Sequence, residues 1–381
     1  MRFDIAIDYP LEEMDKSWKR MEDYEAFRQV ERVPVGFCLA PRFFMPLLKV
    51  PYQTLFADAE TQYQLQLQFL KYRLENIPED LLCTGTTVSV LPYFDNVVEA
   101  DACGAEVLWS NSGPPRAHPS ITTVEQMAAF EMPEPDAGLW GKMRDWWFQM
   151  KDLTEQTRIT FAGGEGKVEV GLLGLTGMGP HMTAIDLVGQ DFYWWQLEHP
   201  EACHDFLKKI ALGMIQAQKY FKTLDSRPRN GVSLAEDSAQ IMSQDQFRQF
   251  AVPYDNMIYE ALSAPGANRG MHMCGVSTHL HEALVQDLKI TSFNIFGYQV
   301  APEVAARNLG GRTRLWGNIN PMLMLNGSAA EVKQECMEAI RALAPCGGFL
   351  LGDGANVCPG TPLENLRVFT EAAEEYSLRE R

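Results

Sequence analysis

The sequence predicts an α/β protein built as a (β/α)₈ barrel with an N-terminal helical extension. Three observations carry this. From about residue 167 short apolar runs alternate with longer amphipathic segments, at 168–175, 231–235, 269–272, 290–296, 313–317 and 348–352. Polar and thiol side chains recur just after these runs, where a barrel gathers its active site. No Gly-rich phosphate turn follows the first run, so nothing favours the rival doubly wound open sheet as a nucleotide fold.

In chain order, residues 1–80 read as mainly helical. Residues 11–30 are charged and amphipathic, and 58–75 place Tyr63, Leu65, Leu67 and Leu70 among polar side chains. Between them 33–38 reads as a short strand. The barrel core is expected from about residue 81, with a strand in 81–90, so that residues 1–381 form one domain. Residues 96–120 alternate as a hairpin, and 121–160 return to helix. Gly163-Gly164-Glu165-Gly166 reads as a hairpin or flexible turn, since no Lys-Ser/Thr follows to make a phosphate loop. The later helices are expected at 200–223, 244–263, 278–288, 300–308 and 329–344.

Bulk properties narrow the function. The chain of 381 residues is 46% hydrophobic, with 33 basic and 50 acidic residues giving a formal charge of −17. That field disfavours nucleic acid as a partner. Met1-Arg2-Phe3-Asp4 shows no basic region leading into an apolar stretch, and no segment approaches a membrane span. Eight scattered cysteines complete the expectation of a cytoplasmic protein with reduced thiols and no membrane contact.

The chemistry is concentrated after the runs. His272-Met273-Cys274 is the sharpest signal: at a strand end an i, i+2 pair points to one side, so imidazole and thiolate can share an ion such as zinc. A buried Cys beside a core histidine is the bland alternative. Cys358, in a Gly- and Pro-rich loop after the last strand, and Glu236 are the candidates to complete the metal site. Against these stand a loop thiol packed under Pro359, and a carboxylate paired with Arg269 or accepting backbone bonds. Asp237, Tyr298 and Asp353 are candidate proton or hydrogen-bond donors, and Asn318 and Asn320 are the polar side chains expected to face a cofactor. Tyr193-Trp194-Trp195 reads equally as a wall over an aromatic substrate or as a buried helix face, with Phe296 a further lining candidate. His279 and His281 read as surface or capping residues. No Gly-x-Ser-x-Gly elbow is present.

Pro34 with its strand, Ile77-Pro78-Glu79-Asp80, the tract Leu315-Trp316-Gly317-Asn318-Ile319-Asn320-Pro321 and the closing Pro359-Gly360-Thr361-Pro362-Leu363-Glu364-Asn365-Leu366 resemble the uroporphyrinogen decarboxylase superfamily. The resemblance implies a single barrel preceded by helical segments. Within it, His272-x-Cys274-Gly275 is similar to the zinc motif of the corrinoid-dependent methyltransferase branch. The decarboxylases' carboxylate-gripping segment has no match in Phe37-Cys38-Leu39-Ala40-Pro41-Arg42. In the closing loop Ala355 takes the place of that branch's zinc cysteine, so either the ligand has moved to Cys358 or Glu236 replaces it. The subtype implied is the substrate-side methyltransferase of O-demethylase systems. It would pass a methyl group from a methoxylated, aromatic small-molecule donor to the cobalt(I) of a separate corrinoid protein, with Zn²⁺ as Lewis acid. The alternative is a metal-free decarboxylase. Self-association, if any, is expected to stop at a homodimer.

Overall fold

The structure, a computed structural model, describes residues 2–82 and 86–379. Its strands in chain order are β1 (Phe3–Pro10), β2 (Thr87–Val90), β3 (Glu106–Leu108), β4 (Arg116–His118), β5 (Thr157–Ala162), β6 (Gly164–Val170), β7 (Gly231–Ala235), β8 (Asn268–His272), β9 (Ser292–Asn294), β10 (Arg314–Ile319) and β11 (Phe349–Asp353). Strands β7 to β11 form one parallel sheet in sequence order, each joined to the next by helix. This is the right-handed βα repeat that closes into a barrel. The wall continues from β7 through a parallel bridge between Ala235 and Met178 to the segment after β6, and β6 pairs in parallel with β2. From β11 it continues through a bridge between Leu351 and Val35. Segment 33–37, β2, β6 and β7 to β11 are thus the eight staves.

Local chemistry explains the boundaries. Asp58 caps the helix Ala59–Asn76 by accepting the Thr61 amide, and Ser243 and Ser328 open their helices with capping boxes completed by Gln246 and Glu331. The single helix expected at 244–263 is two, Gln244–Phe250 and Val252–Leu262, because Pro253 cannot donate to the carbonyl a turn earlier. The anticipated strand at 81–90 is narrower, β2 alone, and its residues 83–85 lie outside the described part.

The N-terminal region departs most from expectation. Phe3–Pro10 is a strand, pairing in parallel with β5, and β5 turns back on β6 at Gly163, whose φ of +109° suits the hairpin turn. The alternation of apolar and polar residues in Phe3–Pro10 is the period of a half-buried strand, and the tertiary partner it needs lies about 150 residues away. Residues 96–120 hold a helix, Val98–Ala102, before the hairpin β3–β4.

The core is continuous around the staves. Met271, Phe293 and Leu351 are fully buried in the sheet, and Phe206, Ile210, Met214 and Phe221 are buried on the inward face of Pro200–Leu224. Buried aromatics such as Trp140 and Phe37 contribute roughly 1.5–3 kcal/mol each relative to exposure. No described helix is long and apolar enough to cross a membrane.

Candidate metal centre at the barrel mouth

Strand β7 ends at Ala235 and β8 at His272, in register with each other, so the residues that follow emerge side by side at the C-terminal rim. Asp237 begins the turn after β7. Its Oδ1 accepts the backbone N–H of Cys274 at 2.7 Å, and its Oδ2 lies 3.5 Å from His272 Nε2. His272 Nδ1 lies 3.0 Å from the Asn294 carbonyl oxygen, which can only accept, so Nδ1 carries the proton and Nε2 keeps its lone pair for the mouth. One ligand atom each from Asp237, His272 and Cys274 lie within 4.8 Å of one another. Burial, and then the charge of Asp237, push the Cys274 thiol up to about 12. A thiolate here therefore needs a cation beside it. Imidazole nitrogen, thiol sulfur and carboxylate oxygen, with the imidazole's far nitrogen anchored, are a donor set that suits zinc.

A cavity of about 760 Å³ opens over Asp237 and His272. Its wall is largely apolar and aromatic: Phe44, Phe69, Leu70, Leu91 and Trp316, with Cys38 and Asn356 close to the metal end. Trp316 is held by its indole N–H, which donates to the Gly36 carbonyl at 2.9 Å. The polar side chains in the wall that the sequence did not single out include Cys38, Arg42, Tyr93 and Asp95. The Tyr52 hydroxyl donates to Asp95 Oδ2 at 2.9 Å, and Asp95 holds a φ of +60°, in the left-handed region that Asp tolerates better than most residues. The signal available was position, because residues 91–96 directly follow β2 just as the metal residues follow β7 and β8.

Other expected site residues are placed elsewhere. Glu236 is fully buried and turned outward from the cluster: Oε1 accepts the His181 N–H at 3.0 Å and Oε2 the Met182 N–H at 2.9 Å, at the start of helix Pro180–Val188. It thus satisfies helix-terminal amides rather than offering a lone pair to the mouth. Burial, and then the neighbouring Asp255, hold its carboxyl well above the usual range. A Cβ at Gly179 would run into this carboxylate, which is why glycine stands there. Cys358 is half-buried and does not line the cavity. Its carbonyl accepts the Thr361 N–H at 3.2 Å and hydroxyl at 2.9 Å, so it belongs to the turn leading into the last helix.

Asn318 donates from Nδ2 to the carbonyls of Gly297 at 3.0 Å and Val300 at 2.7 Å, which ties down the loop after β9. Asn320 caps the helix Pro321–Asn326 by accepting the Met322 N–H at 2.9 Å. Both side chains expected to face a cofactor are engaged in holding backbone. Tyr298 does not line the cavity. Asp353 is fully buried, with Oδ1 accepting the Cys38 N–H at 2.8 Å and Oδ2 without a hydrogen-bond partner. Burial pushes its carboxyl up to about 7. Trp194 is 66% exposed on a helix outside the cavity, where the Tyr193 hydroxyl donates to the Ser238 carbonyl, and Phe296 is core. None of the three walls the substrate space. His281 is buried rather than superficial, between Asn308 and Ser277.

A family model described as Uroporphyrinogen decarboxylase (URO-D) matches residues 87–376. The methylated-thiol–coenzyme M methyltransferase of Methanosarcina mazei is 25% identical over 301 residues, covering 74% of this chain and 71% of the relative. The methylcobamide:CoM methyltransferase MtaA of Methanosarcina barkeri is 26% identical over 309 residues, covering 77% and 81%. A uroporphyrinogen decarboxylase of Nitrosococcus oceani is 23% identical over 295 residues, covering 75% and 77%. Among solved structures, a methyltransferase from Methanosarcina mazei superposes with a TM-score of 0.67 at 20% identity, covering 94% of this chain and 98% of the other. That likeness is one of fold.

Proposed function

The chain belongs to the uroporphyrinogen decarboxylase family, and we propose that within it the protein is a zinc-dependent methyltransferase. It would move a methyl group from a methoxylated aromatic compound to the cobalt(I) of a corrinoid protein. The observation that carries this is the juxtaposition of Asp237, His272 and Cys274 beneath a cavity whose wall is mostly apolar and aromatic. Relatives named as a methylcobamide:CoM methyltransferase and a methylated-thiol–coenzyme M methyltransferase support methyl transfer as the reaction class. The cavity supports the donor class. Phe44, Phe69 and Trp316 offer flat apolar surface to a ring, and stacking of that kind positions a substrate without consuming a polar contact.

When bound, zinc would supply a Lewis acid for the ether oxygen, whose departure as phenoxide is otherwise slow. The chain's own residues do the rest. Asn294 orients His272 through its carbonyl, and Asp237 holds the Cys274 backbone. A porphyrinogen decarboxylase reading needs several cations for the substrate's carboxylates. Of the two arginines in the wall, Arg73 is already paired with Glu79, leaving Arg42.

The test is direct. Zinc-loaded protein is mixed with cob(I)alamin and a panel of methoxybenzenes, and methylcobalamin formation is followed by absorbance. Transfer from at least one methoxybenzene, lost in His272→Ala and Cys274→Ala, is the expected result. Transfer only from methylated thiols would overturn the donor class, and undiminished transfer in metal-stripped protein would overturn the zinc requirement.

A further inference from the structure

Cys38 has no role in the site as described, yet it is the one cysteine among the described residues that lines the cavity, together with Asp237 and His272. Its backbone is fixed on both sides. The N–H donates to Asp353 Oδ1 at 2.8 Å, and the carbonyl accepts the Val357 N–H at 3.2 Å. The preceding residues are stapled to β11 by the bridge between Val35 and Leu351 and by the Gly36 N–H on the Leu351 carbonyl at 3.0 Å. What is left free is rotation about the Cα–Cβ bond. The sulfur currently donates to Asn356 Oδ1 at 3.3 Å, a soft contact that costs little to break, and stands outside the three-residue cluster. Cys274 and Arg42 are among the groups whose charge acts on the Cys38 sulfur, and Arg42 acts on both thiols, so the two sulfurs share one electrostatic neighbourhood.

We propose that Cys38 is the exchangeable fourth protein ligand of the metal centre, joining Asp237, His272 and Cys274 when the substrate position is vacant and swinging back to Asn356 when it is filled. The inference rests on the zinc reading above and adds to it a donor from the opposite side of the barrel closure. Three donors leave a tetrahedral ion one position short, and a permanent fourth would shut the substrate out. A thiol on a rigid backbone, with an acceptor waiting for it off the metal, resolves both demands. On joining the ion the thiol releases its proton to water; on leaving it takes one back. The buried Asp353, whose Oδ1 holds the Cys38 amide, is then a positioning residue for this thiol.

The experiment loads the full chain with cobalt(II) in place of zinc and records the sulfur-to-cobalt charge-transfer band, whose intensity follows the number of bound thiolates. Without substrate, wild-type protein should show the intensity of two thiolates. Cys38→Ser and Cys274→Ser should each show about half of it, while Cys358→Ser should leave it unchanged. Zinc-edge X-ray absorption on wild-type protein counts sulfur neighbours without any variant, so misfolding of a variant does not blur the answer. A single sulfur neighbour, or a band that Cys358→Ser halves and Cys38→Ser spares, overturns the role of Cys38 while leaving the zinc centre intact. Failure to hold cobalt or zinc at all overturns both.

Discussion

Asp237→Asn separates a metal ligand from a backbone clamp. The asparagine keeps an oxygen where Asp237 Oδ1 accepts the Cys274 N–H at 2.7 Å, so the turn after β8 stays in place. It loses the negative charge whose other oxygen faces His272 Nε2 at 3.5 Å. The carboxylate is about a quarter exposed, so its hydrogen bond in the metal-free protein is partly screened and the stability change should stay under about 1 kcal/mol. Metal binding should respond far more. Removing the charge from one charge-assisted contact costs roughly 1.5–3 kcal/mol, which corresponds to about 10- to 150-fold in dissociation constant. The assay is zinc competition with a chromophoric chelator at neutral pH, alongside urea unfolding of the metal-free forms. Zinc affinity within about threefold of wild type, with unchanged stability, would refute Asp237 as a donor and reduce it to a clamp on the Cys274 amide.

Two further outcomes follow from buried and exposed groups. Asp353, raised to about 7 in the folded protein, is protonated there between its unfolded value and neutrality while the unfolded chain has already released the proton. Its contribution is therefore fully present below about pH 4 and is lost as pH rises towards 7. The stability of Asp353→Asn relative to wild type should climb by up to about 1.4 kcal/mol per pH step across that window; urea midpoints of the metal-free proteins that track together at pH 5 and pH 8 would contradict it. Trp194→Ser should change stability by less than about 0.5 kcal/mol, and leave methyl transfer at wild-type rate, because the ring is 66% exposed and outside the cavity. A raised KM for an aromatic donor would place Trp194 in the substrate path after all.

Periodicity and punctuation made the C-terminal half readable from sequence alone. Strands β7 to β11 fall within a few residues of the apolar runs, since each stave is short and flanked by turn residues. The same regularity put His272 and Cys274 at a strand end, and their i, i+2 spacing already said that both point to one side. That much is local: it depends on the backbone period and on which residues cannot continue a strand.

Which carboxylate stands beside that pair was decided by the tertiary structure. Glu236 and Asp237 are adjacent and chemically equivalent as ligands, but consecutive side chains leaving a strand diverge, and only one can face the mouth. The start of helix Pro180–Val188, some 50 residues earlier, draws Glu236 to its amides, which leaves Asp237 for the centre. Cys38 lies more than 230 residues from Cys274, and only the closure of segment 33–37 on β11 brings it into the cavity that Asp237 and His272 line. Asn318 and Asn320 were equally plausible as pocket residues until the loop and helix that claim their hydrogen bonds were in place. A polar side chain is committed to whichever partner reaches it first in space, and sequence order carries no record of that distance.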